Sequence, residues 1–208
     1  MGSASAQIPP SSSDVTAYGA LLKAAHGNDV AALERALAAG ENVDTADAAG
    51  RTAVHIAAHA SAYDALRALA AKGANMRALD RQRYDAITIA AVNDDVKMVK
   101  LAIELGGDPK AITSPYDGTA LIAAAHLGHD QVVKALIEAG APLDHVNNLG
   151  WTALIEAVVL GDGGVRHQQT VRELVAAGAD KSIADRAGHT PLDLATARGY
   201  REIIAILK

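Results

Sequence analysis

Two markers in this chain keep a common register, and that register limits the fold more than any other feature. The first is a small-small-apolar tripeptide followed two residues later by an alanine pair or a close relative. It starts at Gly19, Thr52, Asp85, Thr119, Thr152 and Thr190, at spacings of 33, 33, 34, 33 and 38 residues. The second is a glycine at positions 40, 73, 106, 140 and 178, with the same irregularities in the same places. A period of this length means one supersecondary unit per repeat, each burying its apolar face only against its neighbours. Composition narrows the choice further: 47 of the 208 residues are alanine, none is phenylalanine, and aromatics make up 3%. A core of Ala and Leu requires backbones that approach closely, which fits stacked helices better than a sheet sandwich.

Each unit has a readable local physics. Thr at the unit start caps free N–H groups, and Pro191 suits a first helical turn. Turns are expected at Asn28, Ser61, Asp94, Gly128, Gly161 and Gly199, residue types that tolerate left-handed backbone. A second helix follows with a one-sided apolar stripe, as in Val132-Val133-Leu136-Ile137 and Val171-Leu174-Val175. Glycines 40, 73, 140 and 178 sit just past it, as helix C-termini prefer. The remaining residues of each unit, such as 42–51, are polar with a turn glycine and read as an extended hairpin finger.

Thr52-Ala53-Val54-His55-Ile56-Ala57-Ala58, Thr190-Pro191-Leu192, Gly128-His129 and Gly140-Ala141, at this period, resemble the ankyrin repeat. The resemblance implies an all-α-dominated solenoid of six stacked units, each a helix-turn-helix with a β-hairpin finger. Their approximate bounds are 17–47, 48–80, 81–113, 114–147, 148–185 and 186–208. The third unit departs most, with Asp85 for the usual Thr and Arg83 where a turn glycine is expected. The stretch from Ser114 through Asn148-Leu149-Gly150-Trp151 and Gly161-Asp162-Gly163-Gly164 also resembles a group of ankyrin proteins common in bacteria.

Residues 1–16 are read as a flexible leader, small and polar, with Pro9-Pro10 and a serine run. Met1-Gly2-Ser3 resembles an expression scar, and Ala4-Ser5-Ala6 matches the small-x-small end of a secretory signal peptide. A bacterial periplasmic or secreted protein is therefore favoured, with the cytoplasm as the alternative. The net charge of −5, without a basic stripe, argues against nucleic acid. No apolar run reaches the roughly 18 residues that a membrane helix needs, and the absence of cysteine removes disulfides and thiol chemistry.

The resemblance places His55 at the Thr-Pro-Leu-His position, where an ankyrin repeat uses histidine to tie the loop backbone, and His129 at the Gly-His position, and it implies a structural role for both. His26, His59 and His126 each fall seven residues after a unit start, on the concave side. Equivalent residues in neighbouring repeats stand on the order of 10 Å apart, too far to share a metal ion, so a polar recognition row is the expectation. No catalytic motif appears, and neither enzyme activity nor a cofactor is expected. The residue before each unit start projects from its finger in ankyrin arrays; here these are Arg51, Tyr84, Gly118, Trp151 and His189. With Tyr116 they place three of the six aromatics on one edge, and Trp, Tyr and Arg are the types enriched at binding hot spots. Arg77, Arg81 and Arg83 make the second finger basic. The insertion at 161–168 is expected to form a flexible loop at the groove, with Arg166 and His167 available to a partner. The function expected is non-enzymatic protein recognition by a monomeric array. The alternative is a binder of a small molecule or cell-wall fragment in a pocket near the 161–168 loop.

Overall fold

A computed structural model describes residues 7–208; the Ala4-Ser5-Ala6 motif and the residues before it lie outside them. The described chain contains thirteen helices, running α1 (Ser12–Ala17), α2 (Ala20–His26), α3 (Val30–Ala38), α4 (Ala53–His59), α5 (Tyr63–Ala71), α6 (Ala86–Val92) and α7 (Val96–Glu104), then α8 (Ala120–Leu127), α9 (Asp130–Glu138), α10 (Ala153–Val159), α11 (Val165–Ala176), α12 (Pro191–Arg198) and α13 (Arg201–Leu207). They form two compact units, one ending at Asp108 and the other spanning Pro109–Lys208. Each unit holds three helix pairs. In the first, the inner helices α2, α4 and α6 stack in sequence; in the second, α8, α10 and α12 do the same.

From Asp85 onward the side chain at each unit start caps its inner helix. Thr119 Oγ1 accepts from Ile122 N at 3.3 Å and Thr152 Oγ1 from Ile155 N at 3.2 Å. Asp85 replaces the usual Thr without loss, since its carboxylate accepts from Thr88 N at 2.7 Å. The alanine pairs lie at the centre of the stack: Ala57, Ala58, Ala90, Ala91, Ala124 and Ala125 are fully buried. Outer helices bury a narrower stripe, Ala65, Leu66 and Leu69 on α5 and Val132, Val133, Ala135 and Leu136 on α9. Each such leucine or valine contributes about 2 kcal/mol by leaving water.

Five of the six expected turn residues adopt left-handed backbone: Asn28 (φ 53), Ser61 (φ 51), Asp94 (φ 59), Gly128 (φ 68) and Gly199 (φ 69). The polar side chains among them also stitch neighbouring repeats. Asn28 accepts from Ala65 N at 2.9 Å, and Ser61 Oγ donates to Asp95 at 2.6 Å.

The fingers are less sheet-like than a β-hairpin. Among the described residues the β-bridges are two isolated ones, Ala46 with Thr52 and Thr113 with Gly118, and one backbone bond closes each tip at 47–51, 80–84, 147–151 and 185–189, as from Asp80 N to Tyr84 O at 3.0 Å. What holds them is a side chain five residues before each unit start, which accepts from the backbone N–H two and four residues on. Asp47 does so from Ala49 and Arg51, Asp80 from Gln82 and Tyr84, Asn147 from Leu149 and Trp151, and Asp185 from Ala187 and His189. Ser114 Oγ takes the part in the remaining finger, from Tyr116 and Gly118. Arg83 keeps the turn where glycine was expected by itself adopting φ 65.

Two segments differ from expectation. Ser12–Ala17, read as part of a flexible leader, is helical because Ser11 and Asp14 form a reciprocal capping box. The insertion is only partly a loop. Helix α11 starts at Val165 and runs 12 residues against nine for α9, so part of the extra length becomes helix. The rest, Gly161–Gly164, is pinned rather than open: the Tyr200 hydroxyl donates to Gly161 O at 2.9 Å.

Candidate partner-binding surface

The second unit carries a connected polar network on its inner helices. Glu156, on α10, is 4% exposed and occupies an otherwise apolar stretch. Its carboxylate accepts from Asn147 Nδ2 at 2.9 Å and pairs with His126 Nδ1 at 3.2 Å. Asn147 is also the turn acceptor for Trp151 N, at 3.0 Å. One chain of hydrogen bonds therefore runs from the C-terminal turn of α8 through the buried carboxylate to the backbone of Trp151. Nδ1–H is donated to Glu156, and the His126 side chain is 31% exposed. Glu156 was not among the residues singled out from sequence. Its signal was there, a lone charge inside Ala153-Leu154-Ile155-Glu156-Ala157-Val158.

The fingers of this unit are tied to one another. Asn148 N donates to Tyr116 O at 2.9 Å and its side chain to Pro115 O at 3.1 Å, while Arg186 donates to Asn148 O. Tyr116 and Trp151 are half-buried, with Val146 and Leu149 exposed beside them. His189 stands exposed on the last finger, 3.5 Å from the Asp185 carboxylate.

The insertion places its two candidates differently. Arg166 is exposed, 3.6 Å from Asp130. His167 turns inward and is a structural key. Its Nε2 donates to His126 O at 3.1 Å, and its Nδ1 lies 2.9 Å from Asp162 Oδ1. The ring fills the space that side chains at Gly128 and Gly161 would need, since a Cβ on either would fall within 3 Å of it. The Asp162 carboxyl is held below its ordinary range, first by the Gly164 N–H and then by His167. The 161–168 turn is thus occupied by its own side chains, with Tyr200 packed on Gly163.

In the first unit the predicted row divides. His26 is exposed and Arg81 is exposed, the latter laid along Gly50 with its N–H on Ala49 O at 3.0 Å. Arg51 and Tyr84, expected at the finger edge, are buried at 5% and 6% exposure and offer no face to a partner as they stand. Arg51 Nε donates to Asp47 at 2.7 Å and Nη2 to Asp14 at 3.0 Å. The Tyr84 carbonyl accepts from His55 Nε2 at 3.1 Å, while His55 Nδ1 accepts from Thr52 N at 3.0 Å. Burial lowers the pKa of His55, in keeping with this neutral ring. His59 is half-buried, with neither ring nitrogen hydrogen-bonded or in contact with water. Desolvation first, then the Arg51 cation and the neighbouring His55, push its pKa down to about 4. Among the described residues no His, Asp and Glu side chains converge as a metal site, and no helix is long and apolar enough to cross a membrane.

Comparison with known proteins decides the family. The chain matches the family described as ankyrin repeats (3 copies) over residues 21–113 and again over 87–185. It belongs to the ankyrin repeat family. It is 40% identical over 93 residues to the putative ankyrin repeat protein YahD of Escherichia coli K12, a match covering 44% of this chain and 46% of that protein. The chain thus aligns with less than half the length of that relative. Among solved structures, an ankyrin repeat domain (ABAYE2397) from Acinetobacter baumannii AYE superimposes with TM-score 0.84 and 40% identity, covering 90% of this chain and 95% of that one. The ankyrin repeat protein EF0377 gives TM-score 0.83 and 34% identity, with 91% and 96% covered. A chain in the complex of the Bdellovibrio bacteriovorus endopeptidase Bd0816 with its immunity protein Bd3460 shares the fold at 22% identity and TM-score 0.77, with 91% and 97% covered. Ankyrin repeats are protein–protein interaction modules and generally not enzymes.

Proposed function

We propose that this ankyrin array binds another protein, without catalysis, through the finger edge and inner-helix face of its second unit. The observation that carries the reading is the uneven distribution of exposed apolar side chains. Ile112, Leu127, Val146, Leu149, Leu160 and Val165 all lie in the second unit, against Ile8 and Leu79 in the first. Of these, Ile112, Val146 and Leu149 lie in the same finger segments as half-buried Tyr116 and Trp151, and aromatic rings among exposed apolar neighbours have the composition of a binding hot spot. His126, Arg166 and His189 supply the polar rim. The Asn147–Glu156–His126 bonds hold the Trp151 turn before a partner arrives, so little conformational entropy is lost on docking. Arg51 and Tyr84 are left out of this surface, and His167 acts through the loop it anchors.

The test is affinity capture from envelope and cytoplasmic extracts, comparing the wild-type chain with a Tyr116→Ala/Trp151→Ala variant of unchanged helical circular dichroism. A specific protein retained by the wild type should be lost by the variant, since truncating one hot spot costs about 2 kcal/mol, roughly thirtyfold in affinity. Equal retention by both baits would remove the second-unit edge from the interface. The fraction yielding the partner also tests the export reading, which rests on Ala4-Ser5-Ala6.

A further inference from the structure

Helix α1 stands apart from the other helices in how it is held. It is six residues long and buries none of its side chains. A helix this short has no stability of its own. Among the described residues it is tied to the array by the ion pair of Asp14 with Arg51 and through the following Tyr18, whose ring meets His26 edge-on at 6.5 Å. Beneath it lies a cavity of about 310 Å³, lined by Asp14, Tyr18, Leu22, Glu41, Thr45 and Asp47 among others. The helix therefore covers the first finger without filling the space against it.

What it covers is a ready-made anion contact. Arg51 is fixed from one side by Asp47, through Nε and through its own backbone N–H. Its Nη2 is left pointing at a carboxylate that α1 supplies. The same Asp14 carboxylate caps its own helix, accepting from Ser11 N at 2.8 Å. Recognition of Asp14 by Arg51 is thus recognition of a Ser-x-x-Asp helix start, with the carboxylate shared between cap and guanidinium.

We propose that Ser11–Tyr18 is a displaceable cis occupant of a carboxylate site centred on Arg51, and that the site's ligand in trans is a protein segment with the same acidic capping-box start. The contact lies in the first unit and does not rest on the second-unit surface argued above. A tethered segment competes at roughly millimolar effective concentration, so the site is closed to weak ligands until α1 is released and open to any segment that outcompetes it. Arg51, counted among the partner-contacting residues from sequence and found buried, regains that role when α1 leaves.

The probe is a fluorescein-labelled peptide of residues 8–18, titrated by anisotropy into the wild-type chain and into a Ser11→Ala/Asp14→Ala variant of the full chain. The variant should bind the peptide at least tenfold more tightly than wild type, and a peptide carrying Asp14→Ala should bind neither chain. Equal affinities for the two chains, no binding to the variant, or equal binding of the two peptides would overturn the proposal. Hydrogen exchange of the wild-type chain decides the matter if the variant does not fold. Amides of 12–18 should exchange at least a hundredfold faster than those of α4, and equal protection of the two would overturn the proposal.

Discussion

His59 provides a quantitative test of the first unit. Its ring nitrogens are buried without partners, and its pKa is pushed from 6.5 to about 4 by desolvation, then by Arg51 and His55, with Asp47 acting weakly the other way. Between these values the unfolded chain binds a proton at His59 that the folded chain does not, so stability rises with pH across the window. The contribution is complete above about 6.5, falls as pH drops, and levels off below about 4. Integrating the linkage between pH 7.5 and 4.5 gives about 2.5 kcal/mol, and solvent contact on part of the ring reduces this to about 2 kcal/mol. The assay is urea unfolding at both pH values for the wild type and His59→Gln. The wild type should lose about 2 kcal/mol more than the variant on acidification. His55 is also shifted down by burial, but it is present in both chains and cancels apart from its coupling to His59. The lowered carboxyl groups Asp14, Asp162, Asp180, Asp185 and Asp193 also lose stabilisation on acidification, but they are present in both chains and cancel likewise. Equal losses in the two chains, or a His59 Cε1 proton titrating near 6.5 by NMR, would refute the reasoning.

Other substitutions test the remaining networks. Arg51→Met leaves the Asp47 carboxylate, 8% exposed, without its cation, and should cost about 3 kcal/mol in urea unfolding. Adding Asp47→Asn should recover most of that loss, because Asn147 performs the same turn beside Trp151 with no cation. His167→Ala removes the ring lodged against Gly128 and Gly161 together with its bond to His126 O. It should cost about 2–4 kcal/mol, with faster hydrogen exchange at the start of α11. Glu156→Leu strands Asn147 Nδ2 and His126 Nδ1, an expected loss of about 2 kcal/mol. The fluorescence of Trp151, the one tryptophan, should become more accessible to acrylamide as its turn loosens.

The repeat and most of its helices were legible because the register repeats the same local physics many times. Thr119 and Thr152 cap as expected, the alanine pairs lie at the core, and Asn28, Ser61 and Asp94 take the left-handed turns foreseen for them. Gly161 is the exception, because the insertion moves the left-handed residue to Gly163 (φ 70). The finger device was also written in the sequence, as Asp47, Asp80, Asn147 and Asp185 at one offset from the unit starts. It was missed because a polar loop residue carries no periodic apolar signal. Helix α1 was missed although its capping box, Ser11 with Asp14, is local, because its composition resembles a linker, it buries no apolar face, and the Asp14–Arg51 pair that ties it down joins residues 37 apart.

Burial along the finger edge could not be read from register at all, and the reason bears on function. Arg51, Tyr84, Trp151 and His189 share one repeat position, yet the first two are buried, Trp151 is half-buried and His189 is exposed. Position in the repeat sets only where the side chain starts. What covers it is decided by a nearby residue that the period does not specify. Asp14 closes over Arg51, whereas the Asn147 amide holds the turn at Trp151 with no charge to neutralise. An array of this kind can vary its surface one finger at a time because the turn acceptor preserves the finger's backbone whatever stands at its edge. Exchanging edge residues between fingers, Trp151→His with His189→Trp, should therefore leave helical content intact by circular dichroism while moving the aromatic contact by one repeat. A collapse of the fold on exchange would show that the edge residues specify their own turns.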